Sequence, residues 1–276
     1  MVVTRFAPSP TGLLHLGHAY AARFAWQRAR EADGRFLLRI EDIDRGRCRE
    51  EFVAALIEDL RWLGLDWDGA VRRQSLHLDD YRAALDRLDA MGLIYPCFCT
   101  RAEIAAALGA PQGPEGPLYP GTCRALLPAE RAARIAAGAS YALRLDVAQA
   151  LARTGPLVWE DEAAGAVAAD PLALGDVVLA RKDAPTSYHL AVTMDDAAQG
   201  VTLVTRGADL FPSTHIHRLL QALLGLPVPR YAHHAILLDE AGRRYAKRDR
   251  ALTLRALREA GRGPGEVLAM AASAAT

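Results

Sequence analysis

The sequence predicts an α/β fold built on a doubly wound parallel sheet, with a smaller subdomain inserted near its middle. Three observations predict it. An apolar strand run, a Pro/Gly turn and a helix-periodic stretch follow one another within the first forty residues and lead to a second strand run. Strand and helix patterns resume after about residue 185 and run to the region of Leu238. Between them the composition shifts to a cysteine-bearing segment, a Pro- and Gly-rich stretch from Pro111 to Gly121, and short apolar runs.

The elements follow in order. Val2 to Ala7 reads as a buried strand, Pro8 to Gly12 as a turn, and Leu16 to Glu31 as a helix closed at Asp33-Gly34. Arg35 to Glu41 alternates as a second strand, and Arg49 to Leu63 and Leu78 to Gly92 carry apolar residues at helical spacing, which makes 1–94 the first half of the core domain. The insertion spans 95–184, with an Ala-rich helical stretch and apolar runs at Tyr141 to Leu145 and Val177 to Ala180. The second half, 185–250, is expected to hold strands at Ser187 to Met194, Val201 to Thr205 and Ala235 to Leu238, with a helix at Ser213 to Leu224. Helices near Leu252 to Glu259 and Gly265 to Ala272 fill the segment 251–276.

Composition narrows the function classes. A chain of 276 residues that is 51% hydrophobic is long enough to build its own core. It has no apolar run long enough to span a bilayer and no secretory layout at its start, so the expected address is the cytoplasm. Lysine plus arginine equals aspartate plus glutamate at 33 each, so whole-molecule attraction to nucleic acid is excluded and any RNA contact must be a local patch. In a reducing compartment the four cysteines read as metal ligands or small apolar residues rather than disulfides.

The chemistry-bearing motifs sit where such a sheet binds ligands, at the carboxyl ends of its strands. Pro8-Ser9-Pro10-Thr11-Gly12 leads into Leu14-His15-Leu16-Gly17-His18 at the head of the first helix. Helix amides favour an anion there, two imidazoles share one face, and Gly17 lets a flat ring approach the backbone. Arg5, Glu41 and Arg206 close three predicted strands with charges suited to an amino acid bearing an extra carboxylate, for which guanidinium offers paired donors. Asp239 to Arg248 is a basic run after the last strand, with charge of the kind that stabilises a departing pyrophosphate.

With His15-Leu16-Gly17-His18 the sequence resembles the class I aminoacyl-tRNA synthetases. Arg5 to Gly12 and Arg39-Ile40-Glu41-Asp42-Ile43-Asp44-Arg45 narrow the resemblance to the glutamyl branch, over nearly the whole chain. The resemblance implies a Rossmann-type catalytic domain with an inserted subdomain. It implies a glutamate site at Arg5, Ala7, Ser9, Glu41, Tyr188 and Arg206, and an ATP site at His15, Gly17, His18, Arg244 and Lys247, with Mg²⁺ accompanying ATP. His15, His18 and Lys247 would act on the phosphates during attack of the glutamate carboxylate on the α-phosphorus. Two departures stand out: Val192 replaces the asparagine usual four residues after the pocket tyrosine, and Ala246 and Arg248 replace both serines of the lysine loop.

Cys97, Cys99, Tyr119 and Cys123 leave zinc and buried free thiols equally open by spacing alone. The resemblance favours structural zinc on those four residues, with Cys48 a bystander. The short stretch after Lys247, the cysteine spacing and the altered lysine loop together resemble the paralogous group that loads glutamate onto the queuosine base of tRNA(Asp), as a monomer without an anticodon-binding domain. A compact enzyme charging the tRNA 3′ end, a glutaminyl enzyme, and a non-catalytic tRNA-binding module are the competing expectations.

Overall fold

A computed structural model describes residues 1–106, 112–113, 116–237 and 253–274. The chain begins with β1 (Val3–Phe6), α1 (Leu16–Arg30) and β2 (Arg35–Ile40). The α1 to β2 turn is tight: Asp33 takes a left-handed conformation with φ of 47°, and a Cβ at Gly34 would collide with the Val2 carbonyl. Then come α2 (Glu50–Trp62), β3 (Arg72–Arg73), α3 (Leu78–Ala90), β4 (Ile94–Cys97), α4 (Arg101–Ala106), and the short strands β5 (Gln112–Gly113) and β6 (Gly116–Pro117). The middle of the chain continues with α5 (Pro128–Ala136), β7 (Ala142–Leu145), α6 (Val147–Thr154), β8 (Val158–Asp161), β9 (Gly165–Ala168) and β10 (Val178–Ala180). It closes with α7 (Tyr188–Ala198), β11 (Leu203–Gly207), α8 (Ser213–Leu224), β12 (Arg230–His234), α9 (Leu254–Glu259) and α10 (Pro264–Ser273).

Strands β1, β2 and β3 pair in parallel, as do β11, β12 and β8. The two groups meet where β11 lies against β1, and the Thr202 amide donates to the Val3 carbonyl at 3.0 Å. The parallel α/β architecture expected from the pattern is therefore present. Strand β8, from the stretch 95–184, joins it as a neighbour of β12 and turns back as the β8–β9 hairpin. A separate antiparallel sheet, β10-β7-β4, carries the cysteine-bearing end of the molecule.

The sheet is covered on both faces. Phe6, Phe36, Leu38 and Ile40 pack with α1, α2, α9 and α10 in one apolar cluster. The alternate residues Arg5 and Arg39 point the other way, toward α7, and both reach Asp196. A second cluster joins α3, α6, α7 and α8 to β4, β7 and β10. No helix among the described residues is long and apolar enough to cross a membrane.

Two expectations are corrected. The run from Ser187 to Met194 forms α7, with Ser187 as its N-cap, instead of a strand. Every residue from His189 to Thr193 is buried, so no polar face marks the helical period, and an apolar run of that kind is ambiguous from sequence. The last strand lies at Arg230–His234 rather than Ala235 to Leu238, its register set by Leu203 opposite Arg230. Its two histidines read as polar, yet His234 lines the cavity and the His233 side chain is almost fully buried.

Asp195 is fully buried and accepts hydrogen bonds from Arg72 at 2.7 Å, Gln74 at 2.8 Å and Tyr81 at 2.9 Å. Replacing it by alanine leaves the buried Gln74 and Tyr81 donors unmatched and Arg72 with only the half-exposed Asp80 as its anion, so Asp195→Ala should lower unfolding free energy by roughly 3 kcal/mol. Urea denaturation measures this, and an unshifted midpoint would contradict it.

Candidate active site

At the carboxyl ends of β1, β2 and β11 lies a cavity of about 390 Å³. Arg5, Ala7, Ser9, His15, Gly17, His18, Glu41, Tyr188 and Arg206 all line it. Those are every described residue that the sequence nominates for glutamate or ATP. Arg244 and Lys247 lie outside the described residues.

The first motif is shaped by helix capping. His15 is the N-cap of α1 in extended backbone; its Nδ1 accepts from the Gly17 amide at 3.1 Å, and His18 Nδ1 accepts from the His15 amide at 3.2 Å. With both Nδ1 atoms accepting, neutral rings carry their hydrogen on Nε2, the nitrogen suited to donate to a phosphate. A Cβ on Gly17 would come within 3.1 Å of the His15 ring, so a side chain there would disturb the pair.

The two arginines differ in what surrounds them. Arg5 donates to both oxygens of Asp196, from Nε at 2.9 Å and from the other branch at 3.4 Å, and to the Thr205 carbonyl at 2.8 Å. Arg39 also donates to Asp196, at 2.7 Å, and to Glu41 at 3.3 Å. Burial alone would raise the Asp196 pKa, but Arg5 and Arg39 outweigh it and hold the carboxylate below its usual range. Glu41 goes the other way, since burial raises it more than Arg39 and Arg5 lower it.

Arg206, by contrast, has neutral partners among the described residues. Its Nε donates to His233 Nε2 at 3.2 Å, one terminal nitrogen contacts Tyr188 Oη at 3.3 Å and His217 Nδ1 at 3.0 Å, and the other meets Thr214 Oγ1. Burial first, and then the Arg206 charge, lower both imidazoles: His217 well below the ordinary histidine value, and His233 to about 4. Both rings are neutral at pH 7 and offer acceptor nitrogens. Val192, one turn beyond Tyr188, is buried in α7.

The sequence reading singled out none of Asp161, Asp195, Asp196, His217 or His233 as site groups. The aspartates lie far along the chain from their partners: Asp196 is 191 positions from Arg5, Asp195 is 123 from Arg72 and Asp161 is 72 from His233. The available signal was an adjacent acidic pair, Asp195-Asp196, ending an apolar run.

On the antiparallel sheet the sulfurs of Cys97, Cys99 and Cys123 lie within 4.8 Å of one another. The Tyr119 hydroxyl is 3.6 Å from the Cys99 sulfur and accepts from the Cys123 amide at 2.7 Å. Three converging thiols suit a tetrahedral zinc ion, whose Zn–S bonds of about 2.3 Å require sulfurs this close. Cys48 stands apart, near the Glu41 carbonyl at 3.8 Å.

A parallel sheet with a histidine-capped helix and a guanidinium-lined cavity at its strand ends defines an α/β domain built to bind anionic ligands at that edge. The chain belongs to the class I tRNA synthetases of the E and Q type, whose catalytic-domain profile matches residues 1–271. It is 51% identical to the glutamyl-Q tRNA(Asp) synthetase of Rhodobacter capsulatus, over 96% of this chain and 98% of that protein. It is 42% identical to the glutamate–tRNA ligase of Aquifex aeolicus, over 95% of this chain and 55% of that one. Among solved structures it resembles the glutamate-tRNA synthetase of Elizabethkingia anophelis with a TM-score of 0.75 at 29% identity, over 90% of this chain and 53% of that one. The chain thus spans about half the length of the latter two.

Two outcomes follow from this geometry. Tag-free protein should carry about one zinc per chain, and chelation should lower its melting temperature; metal analysis that finds none would remove the cluster as a metal site. The second concerns pH. An unfolded histidine takes up its proton near pH 6.5, whereas folded His233 resists until about 4. Its contribution is therefore fully present above pH 6.5 and declines as pH falls toward 4, with His217 and Asp196 acting in the same direction and Glu41 opposing them. Between pH 6.5 and 5, His233 alone should cost about 2 kcal/mol of unfolding free energy. Denaturation at both pH values should show a shallower loss for His233→Gln; equal slopes would refute the assignment.

Proposed function

We propose that the protein activates L-glutamate with ATP and transfers it to the queuosine base in the anticodon loop of tRNA(Asp). The observation that carries this reading is that Arg206, whose partners among the described residues are all neutral, shares a cavity with the capped histidines of the phosphate motif. A γ-carboxylate would supply an anionic partner to Arg206, and Glu41 would face the substrate ammonium. The α-carboxylate oxygen attacks the α-phosphorus in line, a new O–P bond forms, and the bond to the leaving pyrophosphate breaks. His15 and His18 would donate to the phosphates from Nε2, and Arg244 and Lys247 would hold the departing pyrophosphate. Mg²⁺ bound with ATP would neutralise phosphate charge. A hydroxyl of the queuosine base then attacks the adenylate carbonyl, and AMP leaves.

Cys97, Cys99 and Cys123, with Tyr119 as fourth ligand, would hold a zinc ion that staples the small antiparallel sheet; the three converging thiols support this reading. The protein acts as a cytoplasmic monomer in this reading. The R. capsulatus relative, similar over its whole length, supports transfer to queuosine; the similarity to the A. aeolicus ligase supports the competing reading, charging of the tRNA 3′ end.

One experiment separates them. Glutamate-dependent exchange of labelled pyrophosphate into ATP should proceed without tRNA. Labelled glutamate should then appear on the anticodon loop of queuosine-containing tRNA(Asp) and not on queuosine-free tRNA. Label at the 3′ end would establish the competing reading, and no exchange would refute activation altogether.

A further inference from the structure

We propose that Asp161 and His233 form a positioning pair that orients Arg206 and leaves its positive charge available to select a carboxylate over an amide. The inference rests on the glutamate reading of the cavity and extends it to residues behind the pocket wall.

The connection runs through three strands. Arg206 lies on β11, His233 on β12 and Asp161 at the end of β8. The Asp161 carboxylate is oriented by its own turn: Oδ1 accepts from the amides of Ala163 at 2.9 Å and Ala164 at 3.0 Å. That leaves Oδ2 facing His233 Nδ1 at 2.7 Å. A carboxylate only accepts, so Nδ1 must carry the hydrogen, and Nε2 presents its lone pair to Arg206 Nε at 3.2 Å. The turn thereby fixes the tautomer, and the tautomer fixes the guanidinium.

The intervening ring decides the electrostatics. A carboxylate placed directly on Arg206, as Asp196 is on Arg5, would satisfy the guanidinium with an internal anion and leave little preference between glutamate and glutamine. Inserting an imidazole keeps the orienting acceptor and moves the negative charge a ring's width away. His217 Nδ1 and Thr214 Oγ1 from α8 and Tyr188 Oη from α7 are the other partners of Arg206 among the described residues, all neutral, and the Tyr231 ring lies 5.4 Å from the guanidinium carbon. Asp161 and His233 are both almost fully buried, which holds the relay rigid and dry.

Asp161→Asn tests the pair. With its carbonyl retained by the Ala163 and Ala164 amides, the new amide would point N–H groups at His233 Nδ1 and drive the ring hydrogen to Nε2, facing Arg206 donor to donor. In pyrophosphate exchange, KM for glutamate should rise by about 10-fold or more, with kcat and the KM for ATP within about threefold of wild type. The preference for glutamate over glutamine should narrow by a similar factor. His233→Gln, which keeps an acceptor toward Arg206, should raise the glutamate KM less than His233→Leu does. A wild-type KM and an unchanged glutamate-to-glutamine preference in Asp161→Asn would overturn the proposal. So would losses shared equally by glutamate KM, ATP KM and kcat alongside a lowered melting temperature, since that pattern marks a structural role. Absence of glutamate-dependent exchange in the wild-type protein would instead strike the reading of the cavity, and the positioning role with it.

Discussion

The structure depends on two adjacent aspartates at the end of one helix. Asp195 and Asp196 on α7 are buried and engage guanidinium groups from three parallel strands: Arg5 from β1, Arg39 from β2 and Arg72 from β3. A carboxylate pair buried alone would be costly, and so would the buried Arg5 and Arg39. Together they lock α7 across the face of the sheet in one register. Tyr188 opens the same helix, so the lock also sets where the phenol meets Arg206. Removing one charge disturbs more than one ion pair, because Asp196 is shared by Arg5 and Arg39.

This network also divides the labour between arginines that look alike in sequence. Arg5 and Arg206 both close a strand and both line the cavity. Arg5 already faces a carboxylate whose pKa it helps to depress; Arg206 faces imidazoles and hydroxyls. At matched burial, a guanidinium with an internal anion contributes shape and donors, whereas one without contributes net charge. The cavity therefore has a polarity that a count of its charges does not convey.

The parallel α/β architecture and six of the cavity's lining residues, Arg5, His15, Gly17, His18, Glu41 and Arg206, were legible from local signals, whereas Ala7, Ser9 and Tyr188 entered only through the family resemblance. The strand-turn-helix opening, the histidine pair at a helix start and charges at strand ends are short-range patterns that a sheet gathers at one edge. The α7 helix was misread as a strand because burial all round removes the periodicity that distinguishes the two. The supporting residues were silent for a different reason. Asp161 lies 72 positions from His233, and Asp196 lies 191 positions from Arg5. Nothing in the spacing of such residues announces a contact that only the strand order creates.

The chain path also brings the described flanks of segment 238–252 to the head of α1. Leu237, the last described residue before segment 238–252, lines the cavity. Thr253, the first after it, pairs with His15, and the next amide, that of Leu254, donates to the Leu14 carbonyl at 2.9 Å. Thr253 then caps α9 through its hydroxyl on the Ala256 amide at 3.2 Å, and Leu254 and Leu257 seat that helix in the core beside α2. The described residues that flank segment 238–252 are thus held beside the head of α1, Leu237 by apolar burial and Thr253 and Leu254 by backbone pairing. Apolar burial of α9 supports the second of these flanks, so the contact between the chain near Thr253 and the histidine-capped turn rests on the helix that follows it.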